Sequence, residues 1–205
     1  MKRSTMTLKL KLIAAVIMLP LFGHANMTVR NQTPYIAQYV IKKGDMVIAR
    51  LPGIAPDAQM LIPTDSTYEV TASAFINGNT YTSAPLAVTG PMGFLAQVVQ
   101  NPSQGTYEFN VVEIPTSKPN ALIFEKTCLS PVVFTISKDG RPVQNVVVNN
   151  SFETQELFID DVYYIYAVIN GVTTDVYTTT NPNATITATV DHSDLGPGYF
   201  SLVID

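Results

Sequence analysis

Ala74-Phe75-Ile76-Asn77-Gly78 returns 93 residues later as Ala167-Val168-Ile169-Asn170-Gly171. Each copy ends an apolar, tyrosine-containing run. Each is followed by a glycine and an aromatic-rich segment, Gly105-Thr106-Tyr107-Glu108-Phe109 and Gly198-Tyr199-Phe200-Ser201-Leu202. Repetition at a fixed period marks a duplicated structural unit. Before the first Asn-Gly, Tyr68, Val70, Ala72, Ala74 and Ile76 alternate with Glu69, Thr71, Ser73 and Phe75. That two-residue period predicts a half-buried strand. Asn-Gly between two strand-like runs predicts a tight hairpin, because a type I′ turn needs positive φ at both central residues.

Outward from these turns the same pattern continues. Val, Ile, Thr, Tyr and Phe are abundant, Lys43-Gly44-Asp45 and Asp139-Gly140 punctuate them, and no long stretch keeps a helical period. Thr33-Pro34 followed by Tyr39 to Gly44 resembles Ser130-Pro131 followed by Phe134 to Gly140, at an offset of 96 or 97, so loop lengths differ between copies. Residues 114–120, Ile-Pro-Thr-Ser-Lys-Pro-Asn, read as a short extended connector, since proline cannot serve a central strand. The fold expected is all-β: two tandem immunoglobulin-like antiparallel β-sandwich domains, residues 26–114 and 120–205, joined by a linker at 115–119, each of roughly seven strands.

Residues 1–25 read as a cleaved signal peptide. Lys2, Arg3, Lys9 and Lys11 give a basic start, Leu12 to Phe22 an apolar run, and Gly23-His24-Ala25 a small-residue cleavage site. The apolar run is about half the ~20 residues a membrane-spanning helix needs. The expectation is a secreted or periplasmic protein that does not span the membrane after cleavage. Those four basic residues are among 12 in the chain, which leaves eight against 16 acidic residues, or −8. Such a surface repels phosphate backbones and argues against a nucleic-acid partner.

Catalytic constellations are sparse. With His24 gone, His192 is the single histidine, Cys128 is the single cysteine, and no Gly-x-Ser-x-Gly elbow or glycine-rich phosphate loop is present. Cys128 reads as a half-buried small apolar residue, with a Cys128–His192 pair as the remote alternative. Zinc needs three or four His or Cys ligands, more than the mature chain offers. No enzyme and no resident cofactor are expected. Calcium is the one metal the acidic loops suggest, at Glu153, Glu156, Asp160 and Asp161 and at Asp191 with Asp194, against the plainer reading of solvated loop acids.

Laying one copy on the other by the Asn-Gly pair isolates what differs. Tyr163, Ile165, Ala167 and Ile169 form the core face of the second copy. Its opposite face carries Tyr164, Tyr166 and Val168 where the first copy has Thr71, Ser73 and Phe75. Tyr164 and Tyr166, two apart on an outer face, suit stacking on a sugar or anchoring a protein, unless the other domain or a loop covers them. The expected function is non-enzymatic binding or structure through surface contacts, with a protein or surface glycan as partner. Two alternatives stand beside it: a carbohydrate-binding module using Tyr164 and Tyr166, and a subunit of a secreted fibre or toxin assembly, in which edge strands provide for oligomers.

Overall fold

The computed structural model describes residues 25–101, 103–191 and 199–205. Residues 1–24 of the expected leader, and His192, Asp194 and Gly198, lie outside the described residues. The strands of the first half are β1 (Asn26–Asn31), β2 (Ala37–Lys43), β3 (Met46–Arg50), β4 (Gln59–Pro63), β5 (Tyr68–Ile76), β6 (Asn79–Thr82), β7 (Leu86–Val88), β8 (Met92–Asn101) and β9 (Thr106–Ile114). Those of the second are β10 (Ala121–Lys126), β11 (Val132–Lys138), β12 (Arg141–Val148), β13 (Gln155–Phe158), β14 (Tyr163–Ile169), β15 (Val172–Thr173), β16 (Tyr177–Thr179), β17 (Thr185–Val190) and β18 (Phe200–Ile204). No helix occurs among the described residues. The hairpin signals form as read: φ is 49° and 84° at Asn77-Gly78, 49° and 78° at Asn170-Gly171, and 49° and 75° at Asp139-Gly140.

Four sheets make two β-sandwiches. In the first, the sheet ordered β18-β17-β1-β4 faces the sheet β15-β14-β2-β3, with β16 beside β14. Tyr39 on β2 ties the layers: its hydroxyl donates to the Arg30 carbonyl on β1 and accepts from the Ala188 amide on β17. In the second, β13-β10-β8-β9 faces β12-β11-β5-β6, with β7 beside β5. There Phe124 on β10 meets Phe134 on β11 at 5.1 Å between centroids and Phe94 on β8 at 5.5 Å. Alternation sets which side chains enter: Tyr163, Ile165, Ala167 and Ile169 are buried while Tyr164, Tyr166 and Val168 are half-buried.

Every sheet mixes the two halves of the sequence. β1–β4 complete their sandwich with β14–β18, and β10–β13 complete theirs with β5–β9. Residues 64–67 and 159–162 carry the chain from one sandwich to the other. The expected boundary at residues 115–119 is therefore the seam between sequence repeats and not a division between sheets. The expectation of antiparallel sandwiches also needs correction, since β1 pairs β17 and β8 pairs β10 in parallel. Parallel neighbours require a long connection, which strands from opposite halves supply.

The pairing also corrects the alignment of the copies. Tyr68 lies opposite Lys138 and Ala72 opposite Phe134 on β11. Tyr163 lies opposite Lys43 and Ala167 opposite Tyr39 on β2. Equivalent core positions are thus 95 residues apart, and Ala167 matches Ala72, not Ala74. A shared device fixes this register. The Ala72 amide donates to Ser83 Oγ (2.9 Å), and the Ala167 amide donates to Thr174 Oγ1 (3.0 Å), both hydroxyls being buried. The 93-residue match at Asn-Gly reflects a longer first hairpin: β5 continues to Ile76, two residues past Ala74, whereas β14 stops at Ile169.

The sandwiches meet along β3 and β12. Gln144 Oε1 accepts from the Val47 amide (2.8 Å), and its Nε2 donates to the Asp45 carbonyl (3.3 Å). Lys138 Nζ donates to the Pro63 (2.7 Å) and Ile48 (3.3 Å) carbonyls. This neighbour explains why Met46, Val47, Ile48 and Ala49 of β3 are all buried, without the alternation of a one-sided strand.

Candidate functional site

Tyr164 and Tyr166 project from the outer face of the sheet β15-β14-β2-β3. Tyr164 sits opposite Lys42 on β2 and Thr178 on β16, and Tyr166 sits opposite Val40. Both rings are half-exposed. They line an open groove of about 380 Å³ with Lys42, Asp45, Asp160, Phe158 and Val176. Phe158 is 50 % exposed and Val176 58 %, which leaves apolar surface in water on two sides of the groove. In the corrected register the first copy has Glu69 and Thr71 at these positions, not Thr71 and Ser73. The tyrosine pair is still peculiar to the second copy.

The far wall of the groove belongs to the other sandwich. The β2–β3 turn docks on the end of β13 and the crossover that follows it. The Asp45 amide donates to the Phe158 carbonyl (2.8 Å) and the Gly44 amide to the Val162 carbonyl (2.9 Å). Gly44 has φ +59°, and a Cβ there would stand 2.5 Å from the Phe158 oxygen and 2.9 Å from the Asp160 nitrogen. Glycine is required here twice, by backbone conformation and by approach. Asp45 Oδ2 in turn accepts from the Phe158 amide (3.4 Å).

The acidic residues have local partners. Asp160 Oδ1 accepts from the Val162 amide (3.1 Å). Asp161 pairs with Lys43 at 2.9 Å, and the hydrogen bond and charge of that lysine hold its carboxyl below the usual carboxylate range. The Asp161 side chain is 92 % exposed, so the pair contributes little to stability. Glu153 accepts from the Asn150 amide and from Gln155, and Glu156 pairs with Lys118. Asp191 follows β17, in the other sheet of the first sandwich, and Asp194 lies outside the described residues. No group of three or more His, Cys, Asp or Glu placed to hold a metal ion occurs among the described residues.

Cys128 is half-buried with Sγ 3.7 Å from the Ser130 carbonyl, and burial pushes its thiol up, away from the reactive thiolate. Beside it Lys126 is buried and donates to the Cys128 (2.9 Å) and Leu129 (3.5 Å) carbonyls. The equivalent residue in the first copy is Asn31, whose Nδ2 donates to the Tyr35 (2.7 Å) and Ile54 (2.8 Å) carbonyls. Both polar side chains therefore staple the same loop, which accounts for a buried lysine next to the cysteine.

Chemically the groove offers aromatic faces, a cation and carboxylates around a shallow floor. Among the described residues that line it there is no Ser, Cys or His. Sequence reasoning found the tyrosines and Asp160 but not Lys42, Asp45, Phe158 or Val176. A signal for Phe158 was present: it follows buried Leu157, so an alternating strand must turn its ring outward. No protein-family model matches the chain, and neither a curated protein nor a solved structure matches it.

Proposed function

We propose that this is an exported, non-enzymatic binding protein built on two immunoglobulin-like β-sandwiches, and that a carbohydrate occupies the Tyr164/Tyr166 groove. One observation carries the reading: two half-exposed tyrosines from one strand share an open groove with Lys42, Asp45 and Asp160. Sugar rings present apolar C–H faces and hydroxyl edges. Phenol rings receive the faces, while carboxylates and an ammonium group take the hydroxyls in both donor and acceptor senses. Phe158 and Val176 extend the apolar contact. Export rests on residues 1–25, and a secreted or periplasmic location follows from the same residues.

The test is a glycan array followed by calorimetric titration of the best sugar, with Tyr164→Ala and Tyr166→Ala compared with the parent. Each truncation is expected to weaken binding by about tenfold or more, as for a central aromatic contact, with circular dichroism unchanged. No sugar bound at millimolar concentration, or affinity in both variants equal to the parent's, overturns the reading.

A further inference from the structure

The two sandwiches provide an internal comparison at one end. In the first, Phe200 lies opposite Val190 on the inner face, and the Tyr35 ring packs edge-on against Phe200, with centroids 5.8 Å apart and planes at 81°. In the second, Phe109 lies opposite Val98 in the same arrangement. Asn31 and Lys126 begin matching five-residue loops, 32–36 and 127–131, so the position of Tyr35 is held by Ser130. No aromatic cap reaches Phe109 from that loop. What stands there is an open mouth of about 350 Å³ between the sheets, lined by Ile76, Asn77, Tyr81, Val98, Tyr107 and Phe109.

The mouth lies where the hairpins overhang the core. β8 pairs β10 only from Met92 to Ala96, while its pairing with β9 runs on from Gln97 to Asn101. Val98 is 36 % exposed, Tyr81 38 % and Tyr107 67 %. A two-stranded ribbon with wet apolar side chains is weakly stabilised by itself and gains from a third strand. β9 is the last strand of its sheet, so its outer edge is open. Residues 92–114 contain Glu108 and Glu113 and no basic residue.

We infer that this mouth is a docking site for an extended segment of a partner protein, which pairs with the edge of β9, inserts an aromatic side chain against Phe109 as Tyr35 does against Phe200, and carries basic residues toward Glu108 and Glu113. Main-chain hydrogen bonds supply affinity in such strand addition, and the pocket supplies selectivity. A second copy of this chain fits less well, because edge-to-edge pairing of two β9 strands brings only acidic charge together.

The probe is the peptide Ac-Lys-Thr-Val-Tyr-Val-Thr-Lys-NH2, titrated into ¹⁵N-labelled protein. Expected are amide shifts confined to β9 and the β5–β6 tip, and affinity about tenfold lower or worse when the peptide tyrosine is replaced by alanine. Ser130→Tyr, which supplies the missing cap, should block the peptide to a similar extent. Tyr107→Ser, at an exposed position that the fold does not need, should weaken it too. Peptide binding unchanged by Ser130→Tyr and Tyr107→Ser overturns the inference. So does the absence of shifts at millimolar peptide. Shifts of β9 on raising protein concentration alone would assign the edge to a second copy and also overturn it. Failure of sugar binding at Tyr164 and Tyr166 leaves this test untouched, since the mouth and the tyrosine groove share no lining residue.

Discussion

Replacing Gly44 by alanine should cost much more than replacing Gly140, although both have positive φ. At Gly140, with φ +75° and nothing within 4 Å of a built Cβ, alanine meets only the backbone preference of an L residue, about 1 kcal/mol. At Gly44 the same preference applies, and the new methyl also collides with backbone, 2.5 Å from the Phe158 oxygen and 2.9 Å from the Asp160 nitrogen. Backbone cannot rotate aside as a side chain does. The β2–β3 turn must lift, which loosens the hydrogen bonds from Gly44 to Val162 and from Asp45 to Phe158. At about 1 kcal/mol each, they raise the expected cost to roughly 3 kcal/mol. Urea denaturation followed by circular dichroism measures both variants, with a common m-value as the check on comparability. For a chain of this size Tm should fall by roughly 6–12 °C for Gly44→Ala and 2–4 °C for Gly140→Ala. Because the same turn forms a wall of the tyrosine groove, Gly44→Ala should weaken sugar binding and Gly140→Ala should not. If the two variants agree within about 0.5 kcal/mol, the close approach of the turn to the crossover is refuted.

Three further outcomes are expected. A protease site inserted between Thr116 and Lys118 and then cut should leave one species on gel filtration in native buffer, separating only in denaturant, because both sandwiches need strands from both sides of the cut; two independently folded halves would contradict the exchange. Ser83→Ala and Thr174→Ala should cost similar amounts, roughly 1–3 kcal/mol each by urea melts, since each leaves a buried alanine amide without its acceptor. Burial raises the Tyr39 phenol to about 12, a rise opposed by the Ala188 amide, so the folded state holds this proton where the unfolded chain loses it near pH 10. The linked stability is complete below about pH 10 and is lost as pH rises toward 12. Buried Tyr68 is raised as well, by desolvation first and then by Tyr163 and Asp139, and should add to the loss. Urea titrations from pH 8 to 11 should show the decline, and Tyr39→Phe should make it shallower.

Much of the fold was legible because its signals are local. Alternation along β5 and β14 and the Asn-Gly turns need only neighbouring residues to act. Strand partnership is different. The inner face of β14 is Tyr, Ile, Ala and Ile whichever strand lies beside it, so nothing in that strand says that β2 and not β11 is its neighbour. The alignment error had the same root. Asn77-Gly78 and Asn170-Gly171 are conspicuous, but they sit at hairpin tips, where length varies freely; Ser83 and Thr174, which hold the register, look like ordinary hydroxyl residues. The tyrosine pair stood out by contrast between copies. Lys42 and Asp45 reach the groove through the fold, from β2 and its turn more than a hundred residues before the tyrosines, and short-range patterns do not report that.

The crossovers at 64–67 and 159–162 also impose an order of assembly. Synthesis delivers β1–β4 before β5–β13, and they then wait for β14–β18 to arrive. The second sandwich needs nothing beyond β13 and can close earlier. β1 meanwhile lacks its parallel partner β17, and Met27 and Val29 lack the roof that buries them. Long-range pairing of this kind is slow and leaves strand edges open to wrong partners. Loss of β17 and β18 would therefore leave β1 and β4 as an unfinished sheet, so damage to those late strands should be felt as aggregation through the early ones.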